Sequence, residues 1–259
     1  MIPAPDHQFN RQTIALLAAT TWVGDTQRFM DELAVRLATV ERPFVVSWLN
    51  AHAIVTAKSA PSFLEDLRGS DLILRDGVGV SVLLKMIGAN PGANMNGTDL
   101  IPQIVRGFDG KSIALFGTSE PYLSRAADAV AQLGGRVVAT LDGFQEPHAY
   151  VQCATAARAD LVILGMGMPK QERVAMMLRD ALDTPCVILN GGAILDFMAR
   201  RFPRAPRLWR QLRIEWLFRL ILEPRRLWRR YLLGGARFAA YTIRVAASNR
   251  LRRELAATE

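Results

Sequence analysis

Six short apolar runs punctuate the first 190 residues of the chain. They are Pro43–Leu49, Asp71–Leu74, Lys111–Phe116, Arg136–Leu141, Asp160–Leu164 and Pro185–Leu189. Runs of this length and composition read as buried strands. Between them lie segments with helical spacing: Ala53–Leu67, Val78–Ile87, Leu100–Val105, Pro121–Leu133, His148–Ala157 and Pro169–Leu182. Strand and helix in alternation predict a Rossmann-like α/β fold, a mostly parallel sheet with helices on both faces. No internal repeat is present.

The pattern changes near residue 200, where the strands stop. Trp209, Leu212, Trp216, Leu217 and Leu220 recur at helical spacing. Pro224 suits the first turn of a further helix, and Gly234-Gly235 is expected to break it before a last amphipathic helix over Ala236–Leu255. Charge divides at the same place. The 259-residue chain carries a net +8, yet residues 1–199 hold 16 basic against 20 acidic residues, whereas residues 200–259 hold 16 Arg against 4 Glu. The sequence therefore predicts an α/β body, residues 1–199, and a basic helical appendage, residues 200–259.

Several classes fall away. The longest run free of Asp, Glu, Lys and Arg is Pro43–Ala57, shorter than the roughly 20 residues a spanning helix needs. The start, Met1–Asn10, shows no basic-then-apolar secretory pattern. Cys153 and Cys186 both lie in apolar surroundings and read as buried thiols of a reducing compartment, not as a disulfide framework or zinc site. Three scattered histidines, His7, His52 and His148, argue against a His-rich metal site.

In an open parallel sheet, ligands bind beyond the carboxyl ends of the strands. Those ends here read Leu49-Asn50, Arg75-Asp76-Gly77, Gly117-Thr118, Gly165-Met166-Gly167 and Asn190-Gly191-Gly192. Glycines let a backbone approach a ligand closely, and helix N-termini favour anions. Together they suggest a nucleotide or sugar-phosphate site, although glycine also ends strands in any α/β fold. Asp76 follows an apolar strand directly. It reads either as a carboxylate that takes a proton from a hydroxyl or as an N-cap of the helix beginning near Val78. Asp99, beside Thr98, reads as a first-turn helix residue or a ligand-facing one; Gln171 and Glu172 read equally as helix-start chemistry. No two Asp residues stand two apart, so the metal clamp common in nucleotide-sugar enzymes is missing. Arginines of the appendage can stabilise a leaving diphosphate in its place.

The appendage fits three readings. Sixteen arginines suit nucleic-acid phosphates. Amphipathic helices with Trp and Leu suit an anionic membrane surface. A solvated basic face is the plain alternative. The apolar stripe favours the membrane, because phosphate binding needs no such stripe.

The sequence resembles the WecG/TagA/CpsF family of bacterial glycosyltransferases. The matching stretches are Leu49-Asn50-Ala51-His52, Ser70–Gly77, Asn96-Gly97-Thr98-Asp99-Leu100, Leu164–Glu172 and Asn190-Gly191-Gly192-Ala193. In the appendage they are Arg204-Ala205-Pro206, Glu215–Arg219, Glu223–Arg226 and Arg230-Tyr231. The resemblance implies an inverting, metal-independent transfer of a sugar from a UDP-sugar to a polyprenyl-diphosphate-linked acceptor, for a surface or exopolysaccharide. No cofactor is expected. It implies a peripheral protein on the inner face of the cell membrane, with no nucleic-acid partner; a homo-oligomer is compatible with it. Asp76 looks like the general base. Asn50 and Gln171 look like substrate-pocket residues, to which the motifs add Thr98, Asp99, Gly117, Gly165, Gly167 and Gly191. Arg219, Arg226 and Arg229 or Arg230 look like the residues that close over the diphosphate. Two departures stand out: Trp48 replaces the usual Thr, and Asn94-Met95-Asn96 replaces a basic-Val-Thr type. The rival readings are a non-enzymatic nucleic-acid-binding protein and a membrane scaffold that acts through the Arg-rich tail.

Overall fold

The computed structural model describes residues 7–212 and 214–248. The six expected strands are all present: β1 (Phe44–Leu49), β2 (Leu72–Arg75), β3 (Ser112–Gly117), β4 (Arg136–Leu141), β5 (Leu161–Gly165) and β6 (Val187–Asn190). They form one all-parallel sheet in the order β2-β1-β6-β5-β3-β4. Side chains alternate across each strand. Val46 and Trp48 of β1 join one core with Ile113, Ile163 and Leu189; Val45 joins the core on the other face with Ala114, Val162 and Ile188.

Helices cover both faces. On the first lie α2 (Thr26–Ala38), α6 (Gly97–Gly107), α7 (Tyr122–Gln132) and α10 (Ile194–Met198), which contribute residues such as Leu33, Ile101, Val130 and Leu195. On the second lie α1 (His7–Ala18), α3 (Ala51–Ser59), α4 (Pro61–Arg68), α5 (Val78–Met86), α8 (Pro147–Ala157) and α9 (Lys170–Ala181). Thus the helices after β1 and β6, two adjacent strands, leave to opposite faces. That opens a crevice at the carboxyl edge, where ligands of such sheets bind.

The structure differs from the sequence reading at several boundaries. The helix expected over Ala53–Leu67 is two helices, because Pro61 begins α4 and Ala60, with a φ of -136° and a ψ of 86°, leaves the helical conformation and ends α3. The helix expected from Leu100 begins at Gly97, where the Asn96 side chain caps it by accepting from Asp99 N at 2.9 Å. Cys186 is buried as expected, but Cys153 is only half-buried.

The C-terminal part comprises α11 (Arg207–Gln211), α12 (Glu215–Leu222), α13 (Pro224–Trp228), a π-helical stretch (Arg229–Gly234) and α14 (Gly235–Ser248). Gly234-Gly235 does not break the chain's helical path: α13 runs through the π-helical stretch directly into α14. Packing overrides glycine's weak helix propensity here. Phe238, Tyr241 and Val245 of α14 are buried in the core formed by α1, α3, α4 and α5. The last part of the helix expected to reach Leu255 lies outside the described residues.

Candidate active site

Three residues at the end of β2 build the site. Arg75 closes the strand and is buried. Its guanidinium donates to Gly77 O at 3.1 Å and Gly92 O at 3.0 Å, while Gly77 N donates to Asn94 Oδ1 at 2.8 Å. These bonds tie the 90–94 loop across the strand end. Gly77 then turns the chain with a φ of 85°, which favours glycine, and caps α5 without any side-chain bond. Asp76 is therefore not an N-cap. Its carboxylate faces a cavity of about 800 Å³ between the carboxyl edge and the C-terminal helices.

One wall of this cavity carries Asn50, His52 and Asp76, and the opposite wall carries Arg219, Arg230 and Tyr231. Burial pushes the Asp76 carboxyl up to about 6, and Glu215 adds to that push; Arg230, Arg75 and Arg219 draw it down. At neutral pH it is mostly ionised yet a stronger base than an exposed carboxylate. Burial and the Arg230 charge push His52 down to about 4, so its imidazole is neutral there. Burial also lowers the Arg230 guanidinium from its usual value, but arginine keeps its proton in proteins. Arg210, Arg219 and Arg230 each hold a buried Nε–H with no hydrogen-bond partner among the described residues. Buried donors are rarely left unpaired in a native protein, so three at one cavity wall point to an anionic ligand with several acceptor oxygens.

The sequence-predicted residues divide into two groups. Asn50, Asp76, Thr98, Arg219 and Arg230 come together around the cavity. Asn50 also caps α3, accepting from Ala53 N at 3.0 Å. Asp99 sits just outside, in the first turn of α6, paired with Arg204. Arg226 is exposed and paired with Glu223. Arg229 is exposed, with its guanidinium 5.4 Å from the Trp228 ring centre. Of the two arginine doublets, the π-helical stretch turns Arg230 inward and Arg229 outward.

The second group lies along the ends of β3, β5 and β6, away from the cavity. Gly117 rests so closely on the Gly165 backbone that a Cβ there would collide with it; Gly191 packs on Ile194. Gly167, with a φ of 81°, has open space beside it. Gln171 is buried, and its Oε1 accepts from Gly167 N at 3.1 Å and Gly192 N at 2.9 Å. Its Nε2 donates to Glu172 Oε1 at 2.8 Å. Glu172 is fully buried, and burial raises its carboxyl to about 7. Gln171 therefore braces two glycine loops instead of lining the cavity.

A chain-wide family match fits this arrangement. Residues 14–253 match the model of the glycosyl transferase WecG/TagA/CpsF family. The chain belongs to that family. It is a glycosyltransferase of cell-surface polymer synthesis. For a member of the WecG/TagA/CpsF family, the cavity's contents acquire a chemical sense: a base beside a cationic wall. Among the described residues no helix is long and apolar enough to cross a membrane.

Spacing did not reveal Arg75, His52, Lys85, Glu215, Trp216 or Tyr231, which also line the cavity. Arg75 did leave one signal, a charge that closes an apolar strand. The departures at Trp48 and Met95 prove to be one feature. Trp48 Nε1 donates to Met95 O at 2.6 Å, and its ring packs under Gly97. The indole thus supports the loop that carries Asn96 and Thr98.

Proposed function

We propose that this glycosyltransferase moves a sugar from a UDP-sugar to a polyprenyl-diphosphate-linked acceptor, with inversion and without a metal. The observation that carries this reading is the meeting of Asp76 with three arginines whose buried Nε–H groups have no described partner. Asp76 takes the proton of the acceptor hydroxyl as that oxygen attacks the anomeric carbon. The bond to the UDP oxygen breaks on the opposite side, and Arg219 and Arg230 stabilise the charge that develops on the departing diphosphate. Cationic side chains in a closed site act there without reorganisation, which is the role a metal plays elsewhere.

In this reading, residues 1–199 form the catalytic body and residues 200–259 an appendage that seats on the inner face of the cell membrane. Exposed Leu212, Ile221, Trp228, Leu232 and Leu233 support that seating, interleaved with exposed Arg225 and Arg229. Anionic headgroups attract the arginines while the apolar side chains enter the boundary. The test is UDP release from a panel of UDP-sugars mixed with lipid-linked acceptors, with co-sedimentation on anionic vesicles. Acceptor-dependent UDP release insensitive to EDTA is expected, together with vesicle binding. No release from any pair, combined with salt-sensitive binding of DNA or RNA, would reverse the reading.

A further inference from the structure

The cavity has a second cationic position, set apart from the arginines. Val78, Ser81 and Lys85 of α5 all line it. They recur at intervals of three and four residues and so form one stripe along the helix. Asp76 stands just before this stripe, and Lys85 stands at its far end. At 1.5 Å per residue, Val78 and Lys85 are about 10 Å apart along the helix axis. A pyranose ring and its anomeric phosphates span a similar length.

Lys85 is exposed, and its ammonium makes no ion pair or hydrogen bond with a described residue. Its charge suits the negative end of α5, but that benefit is available on any face of the last turn. The face it occupies is the cavity face. Beside it on the same helix, Val82 and Met86 are exposed to 44% and 45%. Arg219 and Arg230, by contrast, sit deeper against Asp76, whose charge they influence.

The two cationic positions suit two phosphate-bearing substrates. A donor can lie wholly within the cavity. An acceptor carries a long prenyl chain that a cavity of about 800 Å³, already shared with the donor, has no room for, so its diphosphate must sit where the chain can leave. That place is the rim. Resting on the glycosyltransferase reading above, we propose that Lys85 binds the diphosphate of the lipid-linked acceptor, with the prenyl chain leaving over Val82 and Met86. Asp76, at the other end of the stripe, then meets the acceptor's sugar hydroxyl.

Farnesyl diphosphate, a short prenyl diphosphate, tests this on the full chain with UDP already saturating. Lys85→Gln should weaken farnesyl diphosphate binding about tenfold or more, because a charge-assisted phosphate contact is lost. Lys85→Arg should keep most of the affinity. Farnesol should bind both forms alike, and UDP affinity measured alone should not change. Unchanged farnesyl diphosphate binding in Lys85→Gln would overturn the assignment. A parallel loss of UDP affinity would also overturn it, by placing Lys85 on the donor. A wild-type chain that binds no UDP would instead reject the underlying glycosyltransferase mechanism, so the two failures are distinct.

Discussion

The two halves of the sheet's carboxyl edge use similar sequence materials in opposite ways. At β1 and β2 the strands end in Asn50 and Asp76, and the C-terminal helices stand off to leave a cavity. At β3 and β5 the strands end in glycine and at β6 Gly191 follows directly, and the space is taken up by backbone against backbone and by a buried Gln171–Glu172 pair. One half keeps polar groups unpaired and available. The other pairs most of them internally: Asn190 Nδ2 donates to Ser47 Oγ at 2.8 Å, and Thr118 Oγ1 to Asp196 Oδ1 at 2.6 Å, which leaves Glu172 Oε2 and Asn190 Oδ1 buried without a described partner. A glycine at a strand end therefore marks close packing as readily as it marks a ligand. An unpaired charge at a strand end is the more telling sign.

Substitutions can break this contrast. The largest effect is expected for Asp76→Asn, which removes the base and should lower kcat about 10²- to 10⁴-fold while the melting temperature holds. In the unmodified enzyme the acid limb of kcat/KM should fall near pH 6, since activity needs the ionised carboxylate and its pKa is raised to about 6. A limb near 4 would show that the base is elsewhere. Next comes Arg230→Gln. Losing one preorganised donor at the leaving group should cost about 10²-fold in kcat, read beside Arg229→Gln, which should change little.

On the packed half, the effect should shift from catalysis to stability. Gln171→Ala strands the amides of Gly167 and Gly192 and should cost about 1–3 kcal/mol in denaturant unfolding. Glu172→Gln is smaller and pH-dependent. The folded-state pKa of Glu172 is raised to about 7 from a usual value near 4.5, so the native state binds more protons between those values. Its stability should fall as pH rises through that window. Glu172→Gln should flatten that decline, and an equal slope in both proteins would contradict the assignment.

The sheet was legible because its strands are buried and read as unbroken apolar runs. Asp76 was legible for a local reason, a carboxylate placed directly after such a run. The cationic wall was legible only in kind. Which of Arg229 and Arg230 faces inward depends on the π-helical register, and that register depends on Phe238 and Tyr241 docking on α3 and α5. No spacing rule over a few residues contains that information. Pro61 carried the signal for the split between α3 and α4, which the reading of one helix over Ala53–Leu67 passed over. Gly234-Gly235 misled for the converse reason: glycine's intrinsic preference is small beside the burial that follows it. Lys85 carried no motif at all, and only the fold reveals the wall it shares with Asp76.

The unbroken path from α13 into α14 also has a mechanical meaning. From Pro224 to Ser248 the helical path has no gap in it. Arg230 projects from it toward the reacting centre, whereas Leu232, Leu233 and Ile243 project outward. Its inner face is held in place by buried Leu227, Phe238, Tyr241 and Val245, so the outward side chains stand at a fixed angle to Arg230. Whatever surface meets the outer face therefore meets it at an angle that the docked core has already set.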